Sequence, residues 1–146
     1  MDLLDELLPL FIEHNAYVAH FKDIRLEPDY EKYLAAEEFG TFRLFTARAY
    51  GGDLLGYSAF FVYPNIQRKS SLQADSHALF IREEHRGFGG RFIDFVDQEL
   101  KKEGVEVVYQ TVKASPDLNF SPILERKGYQ LTEIVWAKRL NGRANG

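Results

Sequence analysis

Residues 80–95, FIREEHRGFGGRFIDF, place Arg86 beside Gly87, Gly89 and Gly90, where an apolar strand-like run gives way to a helical pattern. The chemistry open to such a cluster is the holding of an anion. The first backbone N–H groups of a helix have no partner within it and carry partial positive charge. A helix start is therefore a ready phosphate site. Glycines remove the Cβ atoms that would keep a phosphate at a distance, and an arginine adds permanent charge with forked donors. A tight glycine turn with a solvated arginine accounts for the same residues without a ligand. Two common phosphate patterns are missing. There is no GxxxxGK[ST], and GFGG is not a GxGxxG that follows the opening strand of a domain.

The elements that must position this cluster can be read from periodicity. Residues 2–19 put Leu4, Leu8, Phe11 and Val18 on one helical stripe, with Leu3, Leu7 and Leu10 beside it; Pro9 predicts a kink or a late start. Residues 28–38 predict a second helix, with Pro28 in its first turn and Gly40 past its end. TFRLFTARAY and LLGYSAFFVY, joined by Gly51-Gly52-Asp53, predict a β-hairpin. Residues 64–73 read as a polar connection, and ADSHALFI (74–81) as a third strand. GGRFIDFVDQELKKEG is amphipathic, with Phe92, Phe95, Val96 and Leu100 on one side and a stop at Gly104. VEVVYQTVK follows as a strand, residues 119–127 as a short helix closed by Gly128, and YQLTEIVWAKRL as a last strand. The unit of strand, crossover helix and strand over 74–113 requires a parallel pair.

Composition narrows the function. The 146 residues suit one domain with a sizeable core, 45% hydrophobic and 27% charged. Twelve Phe and eight Tyr point to a substantial sheet. The net charge of −4 argues against broad binding to nucleic acid or an anionic membrane. The chain has no cysteine, which excludes disulfides, thiolate metal sites and a cysteine nucleophile. No His/Asp/Glu cluster suggests a metal. The acidic N-terminus is unlike a signal peptide, and no apolar run approaches a membrane span, so the expected location is the cytoplasm. The expected organisation is one domain over 1–140 and a disordered tail over 141–146.

LFIREEHRGFGGRF resembles motif A of the GNAT superfamily of N-acetyltransferases. In that motif an apolar strand end is followed by an acidic turn and then R-x-x-G-x-G/A. Leu79, Phe80 and Ile81 match the strand end, and Arg86 and Gly89 match the first two motif positions. Arg91 stands where the family has Gly or Ala. VVYQTVK is similar to the family's next strand. NFSPILERKGY resembles its asparagine-containing helix, with Leu124 at the place of the usual tyrosine. The resemblance covers roughly residues 41–140 and implies a mixed α/β fold: a mostly antiparallel sheet with one parallel pair at the cofactor cleft, and helices on both faces. Longer phrases, SSLQADSHALFI and SPILERKGY among them, are similar to a small phage- and prophage-associated branch.

The resemblance implies direct transfer of acetyl from acetyl-CoA to an amine: a small molecule, a peptide N-terminus or a lysine. Leu79, Phe80 and Ile81 would splay from the neighbouring strand and pair with the pantetheine arm. The pyrophosphate would lie on residues 86–91, that is Arg86, Gly87, Phe88, Gly89, Gly90 and Arg91. Asn119 would bond the pantetheine or cap its own helix. The backbone N–H near Ile81 would hold the oxyanion. Asp75 and His77, two residues apart, share one strand face, and either can serve as general base. The competing reading of each is a polar residue at a strand start. Glu83 and Glu84 are further base candidates, more simply read as solvated turn carboxylates. Tyr109, or a water, would replace the missing tyrosine as acid. His14 and His20 read as surface or satisfied groups, and Trp136 as core or sheet surface.

Two other classes stay open: an acyl-CoA-binding module without catalysis, motivated by Leu124 and Arg91, and a phage host-interaction protein that reuses the fold. A homodimer through aromatic-rich edge strands is compatible with the sequence.

Overall fold

The computed structural model describes residues 3–21, 23–82, 87–113 and 120–142. Its elements run α1 (Leu3–Val18), α2 (Tyr30–Phe39), β1 (Phe42–Arg48), β2 (Leu54–Asn65), β3 (Arg68–Ile81), α3 (Gly89–Lys102), β4 (Val107–Tyr109) and α4 (Ser121–Arg126). The sheet order is β1-β2-β3-β4. The first three strands pair antiparallel, and β3 pairs parallel with β4. This is the mixed sheet that the sequence leads one to expect, with α3 as the crossover.

Aromatic packing places the helices on the two faces. Tyr57 meets Phe11 of α1 edge-on at 5.2 Å, and Tyr33 of α2 leans on Phe42 of β1 at 5.3 Å. On the opposite face Phe45 lies between Phe60 of β2 and Phe95 of α3. Phe60, Phe80, Ile81 and Leu100 are completely buried, and burial of such a side chain is worth about 1.5–3 kcal/mol. Arg48 reaches Glu6 at 2.6 Å and ties α1 to β1. Gly40 caps α2 with φ of 88°, and Gly52 turns the β1–β2 hairpin with φ of 96°.

Several expectations need correction. The connection over 64–73 is largely strand: β2 runs to Asn65 and β3 begins at Arg68. Its polar residues are pinned by side-chain bonds that periodicity does not reveal, since Asn65 donates to Gln73, Gln73 to Ser71 and Ser71 to Glu106. In α1, Leu7 and Leu10 are buried while Leu8 is exposed, so the inner face lies one step round from the predicted stripe. The helix continues through Pro9. In α3 the inner face includes Ile93 and leaves Phe95 half exposed. The last predicted strand is not one: residues 129–139 form no ladder, and Trp136 is 90% exposed rather than core.

One glycine is demanded by the packing of the sheet. A Cβ at Gly56 would lie 2.4 Å from the carbonyl oxygen of Phe80 on the facing strand. That contact holds β2 close to the end of β3. A Gly56→Ala variant is expected to lose about 1–3 kcal/mol by overpacking. Gly87→Ala has open space around its Cβ and is expected to be neutral or to gain up to about 1 kcal/mol. Urea unfolding of both variants checks the contrast, and equal stabilities would contradict the close-approach argument.

Candidate active site

The described pairing of β3 with β4 is short. Their ladder joins Gln73, Ala74 and Asp75 to Val107, Val108 and Tyr109 and stops there. β3 continues to Ile81, still paired with β2 through Tyr57–Phe80 and Gly56–Ile81. The Arg82 N–H donates to Leu55 O, and Phe80 O faces Gly56, so these groups point toward β2. By the alternation of an antiparallel ladder, the N–H groups of Leu79 and Ile81 point the other way, into the space between β3 and β4. Leu79, Phe80 and Ile81 are all buried. The strand end is thus held by its β2 ladder and by burial in the core.

The N-terminus of α3 abuts the end of this strand. A Cβ on Gly89 would touch Ile81 at 3.6 Å, Ile123 at 3.4 Å and Phe120 at 3.7 Å, which are ordinary contacts. Phe88 occupies the N-cap without a side-chain hydrogen bond, and the first turn has no acid. Gly87 is exposed, and no described atom lies within 4 Å of where its Cβ would be. Gly90 would meet Lys127 at 3.2 Å, and that lysine is held by Asp94 at 2.6 Å. Arg91 is exposed on the first turn. Arg86 and Asn119, with Glu83 and Glu84, lie outside the described residues.

Asp75 and His77 lie on the face covered by α2, but the strand between them is irregular. Ala78 pairs with Ala59 and Ser76 with Phe60, so His77 is the extra residue of a β-bulge. A bulge re-aims a side chain and breaks the local ladder. His77 turns to α2, where its Nε2 lies 2.5 Å from the Tyr33 hydroxyl, and its ring packs edge-on against Phe61 at 5.3 Å. Packing pushes the imidazole below its ordinary pKa and raises that of Tyr33. Both groups are favoured neutral. Asp29, Lys32, Tyr33, Phe61 and His77 line a shallow open depression on this face. Asp75 accepts a hydrogen bond from Tyr63, which raises the tyrosine's pKa. Tyr109, half buried, stands opposite Asp75 in the ladder at the point of divergence.

The structure thus brings Asp75 and Tyr109 together at the last described pair of the ladder, with His77 on the adjoining bulge. Leu124 is buried under α4 and offers no proton. Sequence reasoning missed Tyr33 and Tyr63, which orient His77 and Asp75, and it missed Gly56. A tyrosine on α2 pairs with His77 over a separation of 44 residues, which no local pattern announces. Gly56 did carry a signal, as an isolated glycine inside a strand pattern marks close backbone approach. His14, as expected, is satisfied: its Nδ1 is 2.6 Å from the Tyr57 hydroxyl and its ring stacks on Phe80 at 4.9 Å. Among the described residues no group of three or more His, Asp or Glu could hold a metal ion, and no helix is long and apolar enough to cross a membrane.

The His77 environment has a thermodynamic consequence. Burial lowers its pKa in the folded state below the unfolded value of about 6.5, so the folded state binds the proton less readily. The stability this contributes is complete above the unfolded pKa and falls away as pH drops through the folded one. In proton NMR the His77 ring is expected to titrate below about pH 6.5, and a His77→Gln variant to lose less stability than the parent between pH 7 and 5. An unshifted midpoint or an identical pH profile would contradict this.

No protein-family model and no curated protein matches the chain. Solved structures do. A ribosomal-protein-alanine N-acetyltransferase from Brucella melitensis biovar Abortus 2308 superposes with a TM-score of 0.67 at 16% identity, covering 93% of this chain and 92% of that one. Glucosamine-6-phosphate N-acetyltransferase from Arabidopsis thaliana gives 0.67 at 11% identity, covering 94% of each chain. A transcriptional regulator from Bacillus halodurans C-125 gives 0.72 at 16% identity, covering 96% of each. At these identities the likeness concerns the fold, and the chain has a GNAT-like fold over nearly its whole length.

Proposed function

We propose that this chain is an N-acetyltransferase that moves acetyl directly from acetyl-CoA to an amine. The observation that carries the reading is the continuity of two features. β3 runs on past the end of its described β4 ladder, and its last residue packs against the N-terminus of α3, which has no side-chain cap. A pantetheine arm would run along this strand end, beside Leu79, Phe80 and Ile81. The pyrophosphate would then meet the amides of Gly87, Phe88, Gly89 and Gly90, with Arg86 and Arg91 supplying charge. The open space at Gly87 fits a bulky anion at close range. Acetyl-CoA supplies the activated thioester; the chain supplies everything else. Asn119, outside the described residues, belongs to the same proposal as a pantetheine contact or helix cap.

In this reading a backbone N–H near Ile81 would hold the carbonyl oxygen as it develops charge. His77 serves as the base in the tautomer whose Nε2–H donates to Tyr33, which leaves Nδ1 to take the amine's proton. Its depressed pKa keeps it neutral near pH 7. Asp75, held by Tyr63, attracts and orients a cationic acceptor or acts through water. Tyr109 is the remaining hydroxyl at the cleft that can protonate a leaving thiolate, since Leu124 cannot. The acceptor is an amine, from a small molecule, a peptide N-terminus or a lysine. Residues 1–140 form a single catalytic domain in this reading, which needs no metal and does not depend on a phage-associated origin. Buried Leu124 and exposed Arg91 favour one competing reading, an acyl-CoA-binding module without turnover.

Calorimetry separates these. Acetyl-CoA is expected to bind one-to-one, and Gly87→Leu, which meets no described neighbour in the fold, to weaken binding at least tenfold with an unchanged melting temperature. Absence of binding to the folded parent, or equal binding by the variant, would overturn the cofactor assignment. On an amine panel, His77→Ala is expected to reduce kcat by about 10²–10⁴ at unchanged acetyl-CoA affinity. The parent's kcat/KM should rise with pH through the midpoint of His77. Binding without turnover on every amine would leave the non-catalytic module.

A further inference from the structure

The depression beside His77 holds an amine of the protein's own. Asp29, Lys32, Tyr33, Phe61 and His77 line it. Helix α2 and its cap bring Asp29, Lys32 and Tyr33 there, and the first turn is fixed at two points. Asp29 caps the helix by accepting from the Lys32 backbone N–H at 3.2 Å, and the Tyr33 hydroxyl meets His77 Nε2 at 2.5 Å. The Tyr33 ring also packs on Phe42 at 5.3 Å. The backbone of Lys32 is therefore held beside the β3 bulge. Its ammonium is placed differently. It lies 3.8 Å from Asp29, with the side chain 87% exposed. That is beyond hydrogen-bond range, and an ion pair so open to water contributes little. Lys102 and Lys127 have close carboxylate partners instead, Glu99 at 3.0 Å and Asp94 at 2.6 Å.

An amine that is to be acetylated must be loosely held, stand near a base and meet the acyl donor. The Lys32 ammonium rides on a flexible aliphatic stem, anchored one residue from the tyrosine that orients His77. In the proposed mechanism His77 Nδ1 takes a proton from the acceptor amine, so an amine in this depression stands in the acceptor's place. Attachment to the same body gives Lys32 an effective concentration on the order of millimolar. It also makes the step unimolecular once acetyl-CoA is bound. Nζ forms a bond to the acetyl carbonyl carbon, and the carbon–sulfur bond of the thioester breaks. The ammonium loses two protons. One passes through His77 to solvent, and the other goes to the departing sulfur, which leaves as the CoA thiol. The product is a neutral acetyl-lysine, and Asp29 loses its cationic neighbour.

We infer that Lys32 is a modification site of the protein itself, acetylated in cis from its own bound acetyl-CoA. The inference rests on the proposed function and goes beyond it by naming one acceptor. In the test the full-length protein is given acetyl-CoA and no other amine, and peptide mass spectrometry follows every lysine. Lys32 is expected to be acetylated at least ~10-fold faster than Lys101 and Lys102, exposed on the last turn of α3. The rate constant should not change with protein concentration. His77→Ala is expected to slow the step by about 10²–10⁴ and to leave the acetylation of Lys101 as it was. Gly87→Leu is a second variant, expected to slow it at sub-saturating acetyl-CoA through weaker cofactor binding. Calorimetry on the same sample separates two failures. A folded parent that binds acetyl-CoA yet leaves Lys32 unmodified overturns the inference and leaves the proposed function standing. A folded parent that binds no acetyl-CoA overturns both. Lys32 labelled no faster than Lys101, a rate proportional to protein concentration, or equal rates in the parent and both variants would also overturn the inference.

Discussion

The parallel ladder between β3 and β4 ends at Asp75 and Tyr109, while β3 itself is carried on to Ile81 by its pairing with β2. This unequal support is the constraint on which the site depends. A strand bonded on both sides offers no backbone to a ligand, and a strand bonded on neither would not hold its shape. β3 past Asp75 keeps its β2 ladder after the described β4 ladder has ended, and its side chains Leu79, Phe80 and Ile81 are buried. Rigidity comes from the core and the β2 ladder. Gly56 is part of this arrangement, because its missing Cβ lets β2 approach Phe80 O closely enough to hold the strand end.

The bulge at His77 adds a second consequence. In a regular ladder every side chain is assigned to a face by its parity. The extra residue breaks that assignment and lets the imidazole turn to Tyr33 of α2. A tyrosine from the first part of the chain thereby orients a histidine on the central strand. Tyr63, from β2, donates a hydrogen bond to Asp75. The aromatic richness of the chain has two uses: filling the core through Phe60 and Phe80, and orienting the polar groups at the proposed site.

Backbone donors and acceptors at a sheet edge must find partners. At the β3 side of β4 the region past the ladder is proposed to receive the extended arm of an acyl donor. That depends on how short β4 is. Its three residues leave the rest of VEVVYQTVK outside the ladder, although that phrase has the composition of a full strand.

Local chemistry in the sequence determined the order and type of most elements. The hairpin at Gly51-Gly52-Asp53, the caps at Gly40 and Gly104 and the amphipathic α3 all follow from turn residues and periodicity, which act over a few positions. The glycine cluster at the start of α3 was legible for the same reason, and so was the parallel pair implied by the crossover. What lay beyond reach was set by contacts between distant residues. The strand character of 68–73 rests on side-chain bonds to Asn65 and Glu106. The exposure of Phe95 and burial of Ile93 depend on the angle at which α3 meets the sheet. YQLTEIVWAKRL has a strand's composition, but a strand exists only when an edge pairs with it, and no described edge of this chain does. The partners of His77 and Asp75 follow from a bulge and a helix position that only the folded chain defines, because hydrogen bonds between side chains require proximity in space and not in sequence.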